Sequence, residues 1–387
     1  MALPAFAVTA PGLEHLAFAE LLAHGVTPSE SERGGLAFEA TEPMLASVLL
    51  GVRTVTRVIV RAAEFRATNF AQLERRAKAI PWERWVGPGA RARFRVTCRK
   101  SRLYHSDAVA QRLASALVGA VRGATIADGS ADDDDGDDAA QLFVVRVADD
   151  VCTVSVDAAG APLHKRGYRQ AVAKAPLRET LAAAMLMGAP WDPGSALCDP
   201  LCGSGTVVIE GALIARRIAP GLHRDFSAER WPSATAASWR EARAAAVAEI
   251  LPRVQAPLVG SDRDEGAVAA ARANAERAGV GSDVTFSQSP ISAVRAPAPG
   301  GLLISNPPYG VRVGDSRSLR DLYAQFGHVA REHFAGWRCA LLSEDRTPGH
   351  VLERPIGLEL SERLRSSNGG SPVRLVSGDV PLRFQRS

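Results

Sequence analysis

Residues 196–213 read ALCDPLCGSGTVVIEGAL. A short apolar run ends on Asp199, a glycine turn follows, and an apolar stretch of helical period begins at Thr206. Gly203 and Gly205 permit a tight turn and close backbone approach to a ligand. The helix behind them leaves its first N–H groups free toward the loop. A strand, glycine turn and helix in this order suit the first unit of a doubly wound α/β sheet. Downstream the pattern repeats. PLVGSD (257–262), GAVAAARANAERAG (266–279), VTFSQ (284–288), GLLISNPPYG (301–310), SLRDLYAQFGHVAREHF (318–334) and WRCALLSE (337–344) alternate strand and helix. The tail has two β-like arms around Asn368-Gly369-Gly370, which suits a hairpin.

The loop lacks the third glycine of a dinucleotide fingerprint, because Val208 stands there. An acid, Asp199, precedes it. That charge suits an ammonium group and disfavours a pyrophosphate, so S-adenosylmethionine is the expected cofactor. Asp262 ends the next strand and is placed to accept bonds from ribose hydroxyls. Asp262 could instead cap the following helix, a role that Asp264 suits better. A segment at about 218–250, with Trp231 and Trp239, reads as an insertion between the two acids.

The most specific signal is Asn306-Pro307-Pro308-Tyr309-Gly310, directly after an apolar strand. An exocyclic amine needs its lone pair rehybridised and aimed more than it needs a base. The Asn306 side-chain carbonyl and the Pro307 backbone carbonyl can each accept one N–H of an NH2 group. Consecutive prolines stiffen the loop, and Tyr309 offers a ring for stacking on an unpaired base. The motif leaves guanine N2, adenine N6 and a glutamine amide open.

The 387 residues carry a net charge of only +4. From Arg53 to Arg122, however, sixteen Lys and Arg residues stand against four acids. A basic module in a near-neutral chain suits a polyanion, although solvated arginines on a surface would give the same count. Within it RARFRVTCRKS (91–101) alternates Arg with apolar residues, as a strand with one core face and one basic face does. Asn69 is expected to cap a helix over 69–79, Ser106 to cap the next, and 174–193 to form a helix with Pro176 in its first turn. The run ADDDDGDD (131–138) reads as a solvated loop. Five scattered cysteines without a CxxC pair suggest neither disulfides nor a zinc site. No secretory signal or membrane-length apolar run is found, so no membrane or metal is expected and a cytoplasmic location is.

Taken together these motifs resemble the THUMP-domain class I RNA methyltransferases, and most nearly the RlmL-type 23S rRNA guanine-N2 methyltransferases. The resemblance rests on APGLEHL (10–16), LLGVRTVTRV (49–58), CRKSRLYHSDAV (98–109), VSVDAAGAPLHKRGYR (154–169), APLRETLAAAML (175–186), DPLCGSGTVVIEGALIARRIAPGLHR (199–224), GSDRD, ARANAERAGV and NPPYG. It implies an N-terminal ferredoxin-like segment (1–50), an α/β THUMP domain (51–160) and a C-terminal Rossmann-like methyltransferase domain (165–387). It implies a cofactor site of Asp199, Cys202, Gly203, Ser204, Gly205, Thr206, Asp262, Arg263 and Ser289, with Asn306, Pro307, Pro308 and Tyr309 at the target amine. Lys100, Arg102, Tyr104, Arg166 and Arg169 become candidate RNA contacts. The sequence departs from the family where Ser287-Gln288-Ser289-Pro290 lacks the acid that holds adenine in many relatives, leaving a backbone group, Gln288 or Ser289 for that task. Only one methyltransferase domain is present, so a single activity is expected. The competing readings are a tRNA guanine-N2 methyltransferase of the same class, a protein glutamine methyltransferase, and a non-catalytic RNA-binding assembly factor.

Overall fold

The computed structural model describes residues 2–127, 139–170, 177–308, 316–345 and 352–382. The acidic tract 131–138, Pro176, Tyr309 and Gly310 lie outside the described residues. The chain divides into two units, each with its own sheet.

The first unit comprises residues 1–9, 17–163 and 223–245. Its strands are β1 (Leu3–Thr9), β2 (Pro28–Glu32), β3 (Gly35–Ala40), β4 (Val55–Arg66), β5 (Arg91–Arg99), β6 (Thr125–Ile126), β7 (Gln141–Ala148) and β8 (Val151–Asp157). They form one sheet in the order β2-β3-β1-β4-β8-β7-β5-β6. The twelve-residue β4 joins its two parts by pairing β1 on one side and β8 on the other. Helices α1 (Glu14–Ala23), α2 (Glu42–Gly51), α3 (Phe70–Ala77) and α4 (Ser106–Ala120) lie between the strands in sequence. Asn69 caps α3 as expected, its side chain accepting Gln72 N at 3.0 Å. Ser106 does not cap α4. It is the first helical residue, and His105 holds the cap position without a side-chain bond. On β5 the apolar side packs on the core, with Phe94 stacked on Phe143 at 5.2 Å. Arg91 and Arg99 at its ends are exposed.

The insertion read at about 218–250 has an unexpected destination. Its residues 223–245 belong to this first unit. Phe226, Trp231 and Trp239 join its core. Trp231 meets Trp85 edge-on at 4.8 Å and donates its indole N–H to Gln141 Oε1 at 2.8 Å. Arg224 donates to the carbonyls of Ala159, Ala161 and Pro162.

The second unit comprises residues 10–16, 164–222 and 246–387. It contains α5 (Glu179–Gly188), β9 (Ala196–Asp199), α6 (Thr206–Ala215), the end of α7 (Ala236–Ala248), β10 (Leu258–Asp262), α8 (Glu265–Arg277), β11 (Val284–Gln288), β12 (Gly301–Ser305), α9 (Ser316–His333), β13 (Arg338–Glu344), β14 (Ser361–Asn368) and β15 (Ser371–Asp379). The helix expected over 174–193 is shorter, because Gly188 and Pro190 end α5 early. The sheet order is β11-β10-β9-β12-β13-β15-β14. Neighbours from β11 to β13 run parallel, while β13–β15 and β15–β14 are antiparallel. The terminal hairpin pairs Asn368 with Ser371, and both glycines between them have positive φ, as a two-residue turn requires.

Successive strand residues point to opposite faces. Leu197, Leu302 and Ile304 therefore pack with α5, α6 and α8, while Cys198, Leu303 and Leu341 pack with Tyr323, Phe326 and Ala330 of α9. The sheet is covered on both faces. From β9 the chain winds through β10 to β11, then returns to place β12 on the other side of β9. Strand order reverses there, and in such sheets ligands bind beyond the carboxyl ends of the strands at that point. Asp199 and Ser305 are the last residues of the two strands.

Candidate active site

The glycine loop begins one residue after Asp199. Cys202 N donates to Ser261 O at 2.9 Å, which ties the loop to β10. Gly203 and Gly205 have φ of 52° and 83°, in the left-handed region where a side chain is disfavoured. A Cβ on Gly205 would lie 2.8 Å from the Phe286 ring and 2.9 Å from Ala271 Cβ. One on Gly260 would meet the same ring at 2.7 Å and Cys202 Cβ at 3.0 Å. Both positions must lack side chains for the loop to lie this close to β10 and β11. Gly260 was not singled out from the sequence; a glycine inside a strand is the signal that marks it.

Asp199 is fully buried. Its Oδ1 accepts Ser305 Oγ at 2.7 Å and Leu201 N at 3.1 Å. Neither donor is a cation. Burial raises the carboxyl most and the charge of Asp262 adds to the rise, while the two donors offset part of it, which leaves it at about 7. A buried carboxylate with hydrogen bonds but no counter-charge among the described residues fits an incoming ammonium group. Cys202 is buried beside it, and burial raises its thiol well above the usual value, so it stands as a neutral side chain.

Asp262 is half-buried. Its Oδ2 accepts Gly203 N at 3.0 Å and its Oδ1 accepts Asp264 N at 3.0 Å. It is not the helix cap. Asp264 caps α8, accepting Gly266 N at 2.8 Å and Ala267 N at 3.2 Å. Asp262 therefore braces the glycine loop from the next strand and stays at the sheet's carboxyl edge. Ser204 O accepts Asn274 Nδ2 at 3.0 Å, and Thr206 opens α6. Arg263 is exposed, and its carbonyl accepts Gln288 Nε2 at 3.2 Å. Ser289 N donates to Asp262 O at 2.9 Å. The structure thus gathers Asp199, the glycine loop, Asp262 and the Gln288-Ser289 turn along the ends of three adjacent strands.

Asn306 and Pro307 follow Ser305 at the end of β12. Asn306 Oδ1 is buried and accepts no hydrogen bond from the described residues. Pro307 is buried and Pro308 exposed, and Tyr309 lies outside the described residues. An unpaired buried acceptor costs free energy until a donor fills it. Here it sits one strand from Asp199, on the far side from Asp262.

The five expected RNA contacts separate. Lys100, Arg102 and Tyr104 are exposed in the first unit, Tyr104 at 69%. Lys100 has a positive φ of 48°, and Asp150 Oδ1 accepts Arg102 N at 2.9 Å, so the turn after β5 is held while its side chains face outward. Tyr104 lies against His105 with ring centroids 4.0 Å apart. Arg166 and Arg169, expected as RNA contacts by resemblance, are instead held within the second unit. Arg166 is buried, 3.6 Å from Glu210. Arg169 pairs with Glu179 at 2.8 Å and donates to Leu177 O. Tyr168 between them donates to Glu210 Oε1 at 3.1 Å, and its carbonyl accepts Arg277 Nε at 2.7 Å. Arg277 also donates to Asn274 Oδ1. The LHKRGYR segment thus grips α6 and α8, the helices behind the glycine loop. Asn274 was missed in the sequence, although a polar residue on the Val268-Ala271-Ala275 stripe of a helix marks it.

Residues 166–370 match the RMKL-like methyltransferase domain, residues 5–59 the RlmL ferredoxin-like domain, and residues 67–157 the THUMP domain. The chain belongs to the RMKL-like methyltransferase family. A Synechocystis sp. protein named as a candidate RNA methyltransferase is 35% identical to it over 97% of each chain. The ribosomal RNA large subunit methyltransferase K/L of Syntrophotalea carbinolica is 36% identical over 97% of this RMKL-like chain, which spans 53% of that relative's length. The crystal structure of SMU.472, described as a candidate methyltransferase with S-adenosylhomocysteine bound, superposes with a TM-score of 0.86 at 27% identity over 99% of each chain. The cofactor of this RMKL-like protein is S-adenosylmethionine, and the buried anion and glycine cradle fit it. Among the described residues no cluster of three His, Cys, Asp or Glu could hold a metal ion. None of their helices is long and apolar enough to cross a membrane. All five cysteines are free thiols.

Proposed function

We propose that the chain methylates the exocyclic N2 amine of a guanine in RNA, with 23S rRNA as the substrate. The observation that carries this reading is Asn306 Oδ1 at the end of β12, a buried acceptor with no donor among the described residues. A base amine supplies the missing donor. One N–H bonds Asn306 Oδ1 and the other the Pro307 carbonyl. Both bonds draw electron density onto the nitrogen and fix the direction of its lone pair. Bound S-adenosylmethionine supplies an electrophilic methyl group on a sulfonium. Asp199 takes the ammonium of its methionine part, the glycine loop lets it lie close, and Asp262 takes the ribose hydroxyls. The nitrogen sheds its proton after transfer, when it has become acidic, so the site needs no strong base. Gln288 and Ser289 are left for the adenine edge.

RNA rather than protein is favoured by the excess of basic residues from Arg53 to Arg122 and by the exposed Lys100, Arg102 and Tyr104. Guanine N2 and large-subunit rRNA are favoured by the match to the RlmL ferredoxin-like domain and by the name of the Syntrophotalea relative. The test is mass spectrometry of nucleosides from separated 23S rRNA, 16S rRNA and tRNA of a deletion strain and its complemented parent. Loss of N2-methylguanosine from 23S rRNA, restored by the gene, is the expected result. Loss confined to tRNA, or loss of N6-methyladenosine instead, would overturn the assignment.

A further inference from the structure

The amine-binding motif and the cofactor carboxylate are joined directly. Ser305, the residue before Asn306, is fully buried. Its hydroxyl donates to Asp199 Oδ1 at 2.7 Å, linking β12 to β9 across the point where strand order reverses. Leu201 N donates to the same oxygen at 3.1 Å. With both donors on Oδ1, the carboxylate plane is fixed and Oδ2 is the oxygen left for a ligand. Among the described residues, the other groups acting on Asp199 oppose its charge or are neutral. Asp262 is a like charge, while Cys198 and Cys202 are buried thiols.

We infer that Ser305 is a positioning residue for the cofactor: through Asp199 it sets the orientation and the charged state of the anion that receives the methionine ammonium. This rests on the reading of Asp199 given under Proposed function. A buried carboxylate holds its charge only while donors support it, and a hydrogen bond to a charged group is among the stronger ones. Ser305 supplies the side-chain donor of the two that Asp199 accepts. A serine ending an otherwise apolar strand, GLLIS, is the sequence sign of that task. Because the next residue is Asn306, the same hydroxyl also fixes where the amine acceptor begins relative to the methionine site.

The experiment uses two ligands on the full chain, measured by calorimetry from pH 5.5 to 9. S-adenosylhomocysteine carries the ammonium group and 5′-methylthioadenosine lacks the whole amino-acid part. In the wild type, affinity for S-adenosylhomocysteine falls as pH drops below about 7, where Asp199 takes up a proton, and the truncated ligand shows no such limb. Ser305→Ala should weaken S-adenosylhomocysteine on the order of ten- to hundredfold at pH 8. It should move the acid limb to higher pH, because the anion has lost a donor. Binding of 5′-methylthioadenosine should stay within about twofold, which a merely structural defect would not spare. If Ser305→Ala binds neither ligand, Ser305→Thr decides. A hydroxyl-bearing variant with wild-type preference supports the inference, and one that still discriminates against S-adenosylhomocysteine overturns it. Where Ser305→Ala still binds measurably, equal losses for both ligands, or an unmoved limb, also overturn it. A wild type with neither an advantage for S-adenosylhomocysteine nor an acid limb overturns the reading of Asp199 itself.

Discussion

Gly203 N donates to Asp262 Oδ2 at 3.0 Å, joining the cofactor loop to an acid 59 residues further along the chain. One carboxylate therefore braces the loop, and in the proposed site the same group takes the ribose hydroxyls. Asp262→Asn keeps the size and loses the charge and one acceptor. We expect affinity for S-adenosylhomocysteine to fall roughly ten- to hundredfold, since bonds to a charged group are worth about 1.5–3 kcal/mol. Calorimetry reads it directly, and an unchanged affinity would remove Asp262 from the site.

The two loop glycines should respond differently to alanine. Each has positive φ, so a side chain costs about 1–2 kcal/mol at either place. At Gly203 none of the described residues lies within 4 Å of the new Cβ. At Gly205 it meets Phe286 at 2.8 Å and Ala271 at 2.9 Å. Gly205→Ala should be the more destabilising in urea by about 1–3 kcal/mol, the usual cost of overpacking, and should bind cofactor less well. Equal stabilities would mean that the loop does not lie against β11 as described.

Asp199 and Glu179 are both carboxylates that burial pushes up to about 7, from ordinary values of 3.8 and 4.5. A raised carboxyl binds more protons folded than unfolded. Its contribution to stability is therefore complete below about pH 4 and lost as pH rises through about 7. The ligand-free protein should melt lower at pH 8 than at pH 6 on account of these two groups. S-adenosylhomocysteine, which brings a cation to Asp199, should raise the melting temperature more at pH 8 than at pH 6. Scanning calorimetry with and without ligand checks both signs.

The basic residues divide into two classes with separable phenotypes. Arg169→Ala leaves the buried Glu179 without its partner, and breaking a buried pair costs about 3–5 kcal/mol. It should lower the melting temperature. Lys100→Ala and Arg102→Ala alter exposed side chains and should leave melting unchanged while weakening RNA binding. For each phosphate left without its cation, the slope of log affinity against log salt should fall by about one. Filter binding across a salt series distinguishes the two classes.

Much of this was legible in the chain itself, for identifiable reasons. Val208 in place of a third glycine, and Asn306-Pro307 after GLLIS, are local patterns whose chemistry depends on neighbours in sequence. The cap at Asn69 and the turn at Gly369-Gly370 are local in the same way. Arg166 and Arg169, which the resemblance offers as candidate RNA contacts, are ion-paired instead, and a motif position does not reveal such a partner. The carboxylate of Glu210 comes from α6, the helix after the glycine loop, and only folding brings it to Arg166. The segment around Trp231 and Trp239 was legible as an insertion, but its place in the core of the first unit was not, since two tryptophans do not say which surface buries them. Ser305 and Asn274 were passed over because each is a single polar residue on an apolar stripe, and its importance lies in one bond to a distant residue.

The central claim is that Asn306 receives the amine that is methylated. The most direct test is a single-turnover assay with labelled S-adenosylmethionine and unmethylated 23S rRNA, comparing wild type with Asn306→Ala. Loss of one preorganised hydrogen-bonding partner should slow transfer by about 100- to 1000-fold, with RNA and cofactor affinities within about threefold of wild type. Transfer at the wild-type rate by Asn306→Ala would contradict the account.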